Sequence, residues 1–273
     1  MKASVIISTY NSPEWLEKVL WGYHYQLEKG FEIIIADDGS TSETKNMLKS
    51  MADKTGLEIN HVWHKDEGFQ KTRILNKAIL ATKTDYLIFT DGDCIPRKDF
   101  VKTHLVLAEK GKFLSGGYCK LTMKVSKIIQ KGDIESQDCF DLKWLGRLDK
   151  LSFSNTLKLG SSSSKKKVLD TITLTKASFN GCNSSVFKKD ALAINGFDER
   201  MQYGGEDREF GERLINYGVS GKQIRHKAIV IHLDHDRGYK TNESMKKNLE
   251  IRKKVKLSKA KITPFGIKNL IDS

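Results

Sequence analysis

Asp91 and Asp93 stand on either side of Gly92, directly after an apolar run at residues 85–90. Two carboxylates at i and i+2, with no bulk between them, can converge on one hard divalent cation. A cation there would neutralise a diphosphate. Asp-Gly is also ordinary turn chemistry, and it is the position at a strand end that favours the metal. Gly204-Gly205-Glu206-Asp207 opens a helical pattern. Paired glycines let a substrate approach the backbone closely. A carboxylate at a helix start is stabilised as the anion, which suits a general base, although acidic residues are common in first turns. His232 ends a second apolar run, 228–232, and offers an imidazole to oxygen ligands; His235 is its rival as ligand or as phosphate contact. The spacing is not HExxH, which excludes a zinc-protease arrangement. Arg73 and Lys71 lie on or beside a helix, within reach of a phosphate or base from a sheet edge. For Lys71 a solvated surface position is the expectation. No glycine run has dinucleotide-fingerprint or P-loop spacing.

These groups need elements to position them. Residues 3–8, 31–36, 57–63 and 85–90 read as strands, the first a β-branched run typical of a buried parallel strand. Between them lie helical patterns. Leu16, Val19, Leu20, Tyr23 and Leu27 follow Asn11-Ser12-Pro13-Glu14; Met47, Leu48 and Met51 share a face; 72–81 turns Ile74, Leu75, Ala78 and Ile79 inward. Alternating strand and helix predicts a parallel sheet flanked by helices, with ligands beyond the carboxyl ends of the strands. The polar clusters Ser8-Thr9-Tyr10-Asn11, Asp37-Asp38-Gly39 and Asp91-Gly92-Asp93 fall at those ends. Residues 120–176 are rich in lysine and serine, with Ser161–Ser164 before Lys165–Lys167, and read as a mobile loop. Glu206–Tyr217 reads as a helix with Phe210, Leu214 and Tyr217 on one stripe, and 228–232 as a late strand.

Taken in order, these residues resemble family 2 glycosyltransferases of the GT-A fold. The matching text is Ser4-Val5-Ile6-Ile7-Ser8-Thr9-Tyr10-Asn11, then Ala36-Asp37-Asp38-Gly39-Ser40, then Asp91-Gly92-Asp93 as the DXD motif. Phe179-Asn180-Gly181-Cys182-Asn183, Asn195-Gly196-Phe197-Asp198 and Gly204-Gly205-Glu206-Asp207 look like the acceptor half shared by bacterial polysaccharide transferases and animal galactosyltransferases. The similarity spans roughly residues 3–235. Ser8-Thr9 stands where many members have Pro-Thr, and the tract 120–176 matches no family pattern.

The resemblance implies a Rossmann-like, mostly parallel central sheet with a C-terminal acceptor-binding half. Residues 1–116 would bind the nucleotide sugar, 117–240 the acceptor, and 241–273 would form a basic helix or tail. It further implies a nucleotide-diphosphate sugar donor, a UDP-sugar by preference, with Mn2+ or Mg2+ as cofactor. Ser8, Tyr10 and Asn11 would hold the nucleoside, Asp38 the base, and Arg73 the nucleotide. Asp91 would contact the ribose or the metal and Gly92 the donor, with Asp93 the direct metal ligand and His232 a third-ligand position. Asp207 would be the catalytic base, with Glu206 and Gly205 on the acceptor. The reaction so implied is an inverting single displacement onto a glycan or lipid-linked hydroxyl in surface polysaccharide synthesis, as in capsule or lipopolysaccharide assembly.

Rival readings are a retaining transferase or nucleotide-sugar hydrolase on the same fold, and a basic module that binds nucleic acid or membrane. The formal charge of +13 raises that last question. Nucleic-acid binding calls for aromatics interleaved with basic residues on one element, and no such array is present. The lysine excess lies mostly in the middle tract and the tail, where it reads as a docking surface for anionic lipid or acceptor. From Met245 onward, lysines interleave with Leu249, Ile251, Val255, Leu257 and Ile262. Such a helix either lies on an anionic bilayer or packs on the domain. No apolar run reaches the length of a membrane span, and the amino terminus lacks a signal-peptide pattern. Cys94, Cys119, Cys139 and Cys182 have no CxxC spacing and read as reduced, core-filling thiols. The expected location is the cytoplasm, with peripheral contact at the inner face of the plasma membrane as the extension.

Overall fold

The computed structural model describes residues 1–160, 176–236 and 241–271. Strands β1 (Ala3–Thr9), β2 (Phe31–Asp37), β3 (Ile59–Trp63) and β4 (Tyr86–Asp91) form the parallel half of a seven-stranded sheet. Helices α1 (Pro13–His24), α2 (Ser42–Thr55) and α3 (Lys71–Ala81) connect them. The sheet runs in the order β3-β2-β1-β4-β8-β6-β9, with β6 at Lys112–Ser115, β8 at Ser184–Phe187 and β9 at Ser220–Gln223. Strand β8 lies antiparallel between β4 and β6, so the second half of the chain completes the sheet begun by the first.

Register places the polar strand ends together. Ser8 pairs with Ala36 on one side and Asp91 on the other, and Thr9 pairs with Asp37. Alternate residues of each strand serve opposite faces. Val5, Ile7, Ile33 and Ile35 join one buried cluster, with Leu16, Val19, Leu20 and Tyr23 of α1; Ile6, Ile34 and Ala36 join another, with Ile74, Ala78 and Ile79 of α3. Both faces are covered, as the continuous apolar runs require. Beside this sheet lies a smaller one in the order β5-β10-β7, built from Cys94–Pro96, Ile229–His232 and Gly117–Lys120. Its central strand β10 is antiparallel to β5, which sets His232 opposite Cys94.

The remaining helices among the described residues are α4 (Phe100–Leu107), α5 (Met123–Ile128), α6 (Lys131–Ser136), α7 (Leu142–Leu148), α8 (Phe153–Gly160), α9 (Lys188–Ala193), α10 (Glu206–Tyr217), α11 (Asn242–Ser258) and α12 (Ile267–Ile271). Several expectations change here. The stretch 123–160 is helical rather than a loop. Val125, Ile134 and Leu145 are buried on α5, α6 and α7, Cys139 in the 3-10 turn Asp138–Phe140, and α8 buries none, too sparse among lysines to show a sustained period. Ser161–Ser164 and Lys165–Lys167 lie outside the described residues. Helix α1 stops at His24, which leaves Leu27 exposed. Tyr217 is exposed as well, at the last turn of α10.

Helix α11 packs on α10 through buried Ile251 and Val255, with Arg252 ion-paired to Glu212 at 2.5 Å. The domain-packed alternative for the tail is the one the structure contains, while Leu249 and Leu257 remain exposed. Among the described residues no helix is long and apolar enough to cross a membrane. All four cysteines are buried free thiols.

Candidate active site

The carboxyl ends of β1, β2 and β4 open into a cavity of about 1280 Å³ that also takes in Gly204, Asp207 and His232. Of the residues expected there from sequence, Ser8, Tyr10, Asn11, Asp38, Asp91, Gly92, Asp93, Gly205, Glu206, Asp207, His232 and His235 line it. Arg73 is not among the lining residues. Lys71 is, contrary to its expected place in solvent.

Lys71 sits at the start of α3, and its Nζ donates to Asp91 Oδ1 at 2.7 Å. Ser8 Oγ donates to the same oxygen at 2.6 Å, the register having set β1 beside β4. Burial alone would favour a neutral amine, but the negative charges of Asp91, Glu206 and Asp207 outweigh it and keep Lys71 firmly protonated. This side chain therefore joins the two acidic motifs.

At the far end of the cavity, both Asp38 oxygens are occupied. His64 Nε2 lies 2.8 Å from Oδ1, and the Gln70 amide donates to Oδ2 at 3.0 Å. Tyr10 donates its hydroxyl to Asp66 at 2.8 Å. Asn11 adopts a positive φ of 44° and ties this loop to the next, accepting from the Thr41 amide at 3.0 Å. Gly92 donates its amide to Ser8 O at 2.8 Å, and a Cβ there would lie 3.1 Å from both Ser8 O and Thr9 Oγ1. The residue between the two aspartates is thus glycine because β1 passes beside it.

Asp93, Cys94 and His232 present a carboxylate oxygen, a thiol and an imidazole nitrogen within 4.8 Å of one another. His235 Nε2 lies 3.0 Å from Asp93 Oδ2, and His232 Nε2 lies 3.9 Å from it. Burial opposes ionisation of Asp93, yet the His235 hydrogen bond and the two imidazoles overcome it and hold the carboxyl well below its ordinary range. An ionised carboxylate beside two imidazoles suits a divalent cation. His232 is a member of the trio, and His235 approaches the same Asp93 oxygen beside it. Asp91, engaged by Lys71 and Ser8, stands outside it.

Across the cavity, Gly204 and Gly205 take positive φ values of 110° and 86° before α10 begins. Helix α10 is fixed from below: Phe210 stacks on Phe197 at 4.2 Å and packs against Phe179 at 4.8 Å. That anchoring presents Asp207, whose Oδ2 accepts from the Gly181 amide at 3.0 Å and whose Oδ1 accepts from the Arg208 amide at 2.7 Å. Burial raises the carboxyls of both Glu206 and Asp207 above their usual range, and Asp207's charge adds to the effect on Glu206. Sequence reasoning set Lys71 in solvent and missed His64 and Asp66, and also Tyr118, Lys158 and Arg225, which line the same cavity. None of these belongs to a motif; only the fold gathers them.

A sheet with carboxylates at its strand ends, facing a second acidic pair at a helix start, defines a GT-A glycosyltransferase. The solved structures agree on fold. A Staphylococcus aureus TarS fragment in complex with UDP superposes with a TM-score of 0.61 at 17% identity, covering 96% of this chain and 67% of that one. The mannosyltransferase PcManGT from Pyrobaculum calidifontis, in complex with GDP-Man and Mn2+, superposes with a TM-score of 0.59 at 16% identity, covering 99% and 64%. Residues 4–129 match the model of glycosyl transferase family 2, and residues 169–236 match that of the N-terminal domain of galactosyltransferase. The uncharacterized glycosyltransferase YfnE of Bacillus subtilis is 30% identical over 285 residues, covering 91% of this chain and 69% of that protein. The chain belongs to glycosyltransferase family 2 and is a transferase. Chondroitin synthase of Pasteurella multocida is 26% identical over 240 residues, 79% of this chain but 23% of the synthase. This chain thus spans about a quarter of that relative's length.

Proposed function

We propose that the protein transfers a sugar, with inversion, from a UDP-sugar to a hydroxyl of a glycan or lipid-linked acceptor, and that it requires a divalent metal, manganese or magnesium. The observation that carries this reading is the placement of Asp207 across one cavity from the Asp93–His232–His235 cluster. Support for the donor comes from fold neighbours in complex with UDP and with GDP-Man and Mn2+. Relatives named chondroitin and hyaluronan synthases support a role in surface polysaccharide assembly.

Residues 1–116 hold the donor in this reading. Tyr10 and Asp38 face the nucleoside, and Asp93, His232 and His235 hold the metal. When bound, that metal supplies positive charge to the departing diphosphate. Residues 117–240 hold the acceptor, with Met245 and Arg252 of α11 reaching the same cavity. The Gly181 and Arg208 amides fix the Asp207 carboxylate, which takes the proton from the acceptor hydroxyl. Those two amides, and then the Lys71 charge, oppose the rise that burial imposes on the Asp207 carboxyl. Attack from the face opposite the leaving group inverts the anomeric centre.

Replacing Asp207 by Asn is expected to lower turnover by about a thousandfold or more, the upper part of the range for a general acid–base contribution, while UDP binding stays within about twofold. Near-normal turnover in that variant would remove Asp207 as the base, and product anomeric configuration by NMR tests inversion. For Asp93→Ala, calorimetry with UDP should show the manganese-dependent part of the affinity disappear. An unchanged manganese response would place the metal elsewhere.

A further inference from the structure

Six cationic side chains line the cavity: Lys71, Lys120, Lys158, Arg208, Arg225 and Arg252. Three are neutralised by carboxylates. Lys71 pairs with Asp91, Lys120 with Asp234 at 3.1 Å, and Arg252 with Glu212. Lys158, Arg208 and Arg225 have no carboxylate partner within ion-pair distance among the described residues. They share the cavity wall with Tyr118. Lys158 Nζ donates to Tyr118 O at 2.7 Å and lies 5.3 Å from the Tyr118 ring centroid. The positive charges of Arg208 and Arg225 both act on the Tyr118 hydroxyl.

For Lys158 and Arg225 this arrangement is costly unless an anion joins it, while Arg208 adds an exposed positive charge at the same wall. Burial pulls the Lys158 ammonium below its usual value, and repulsion from Arg225 adds to that. The Nε of Arg225 is buried without a hydrogen-bond partner. An unpaired buried donor on a charged group costs free energy that a bound oxyanion returns. Its place in the cavity names the source of that anion. Arg208 follows Asp207 directly, and Tyr118, Lys158 and Arg225 come from the segments after residue 116, on the acceptor side.

We propose that Lys158, Arg208 and Arg225 form an anion-recognition wall around Tyr118, and that the acceptor carries a carboxylate or phosphate beside its reacting hydroxyl. This rests on the glycosyltransferase reading above and narrows its acceptor. A uronate and a sugar phosphate share the required chemistry, three or more oxygen lone pairs on one compact negative group. Arginine forks match both geometries. The diphosphate of the donor is the competing source, and it is separable by experiment.

The test uses the full chain with manganese and UDP present. Binding of p-nitrophenyl β-glucuronide, p-nitrophenyl β-glucoside 6-phosphate and p-nitrophenyl β-glucoside is followed by saturation-transfer NMR. One or both anionic probes should bind about tenfold or more tighter than the neutral glucoside. Whichever does so identifies the anion. Arg225→Gln should abolish that preference while the affinity for manganese–UDP stays within about twofold; Lys158→Met should do the same and serves if the first variant is poorly folded. Equal binding of all three probes to the wild-type chain overturns the proposal, and so does a variant that loses UDP affinity instead. If the anion preference holds but the wild-type chain binds no UDP, the wall stands and the donor reading falls.

Discussion

Lys71 ties the site's two acidic motifs together electrostatically. It contacts Asp91 and lies in the field of Glu206 and Asp207, so it lowers the cost of ionising two buried carboxylates. A base must be ionised to accept a proton, and burial raises Asp207. The acid limb of the kcat–pH profile is therefore expected above the ordinary carboxylate range. Lys71→Met removes the charge that opposes this rise. Its acid limb should move to higher pH by about one unit or more. A variant that is slower with an unmoved limb would show a merely structural lysine. From sequence, Lys71 looked solvated because it is polar, isolated and at a helix start. Its neighbours Asp91 and Glu206 are distant in the chain, and no local pattern reveals them. Arg73, the residue that matched the family, lies outside the cavity lining. The histidines show the same limit: spacing made His232 and His235 alternatives, and only the fold shows Asp93 close to both.

At the level of elements, the strand-end loops are held by close backbone approaches. Gly39 has φ 96°, and a Cβ there would lie 2.6 Å from Asp66 Cα. Asp66 in turn accepts from Tyr10, whose ring lines the cavity. Gly39→Ala must either displace the Asp66 loop or strain its own backbone. A loss of about 2 kcal/mol is expected, several degrees in Tm, together with weaker UDP binding. Thermal melts and calorimetry check both; unchanged UDP affinity would separate the Asp66 loop from the nucleoside. Elements were most legible where both faces are buried. Strands β1, β2 and β4 are continuous apolar runs, and their ends differ from expectation by a residue or so. Short helices between 123 and 160 were not legible, because each buries at most two side chains, and α8 none, among exposed lysines. Their contribution is to cover one core cluster with Val125, Ile134 and Leu145.

Across the whole molecule, a buried polar stitch joins the two sheets. His104 is fully buried on α4, with Ser185 Oγ at 2.8 Å and Asn183 Oδ1 at 3.0 Å. Asn183 then donates to Gly117 O and Ala228 O, which belong to or adjoin the small sheet. Gly116 is glycine because a Cβ there would collide with the Asn183 side chain. Burial lowers the His104 imidazole from 6.5 to about 4. The unfolded chain therefore binds more protons in that window. Stability is fully present above pH 6.5 and is lost as pH falls towards 4, by about 3 kcal/mol. The raised carboxyls of Glu206 and Asp207 act with the opposite sign, so the variant comparison isolates the histidine. His104→Gln should flatten the slope of unfolding free energy between pH 6.5 and 4, as read by urea titration. An unchanged slope would show that His104 does not drive acid unfolding. The overall α/β architecture was legible in the first hundred residues. The reversal at β8 was not, since Ser184–Phe187 carries no signal of its direction or of its partners.

That reversed strand has a consequence for biosynthesis. Strand β4 finds β1 at once, but its other edge is closed by β8, about ninety residues later in the chain. At about 5–20 residues per second, a ribosome leaves the apolar β4 edge bare for several seconds to about twenty. An open edge of this kind recruits other strands. Newly made chains are thus most prone to aggregate when translation pauses between β4 and β8. Slower initiation at low temperature, which keeps the concentration of such nascent edges down, is the rational route to good yield.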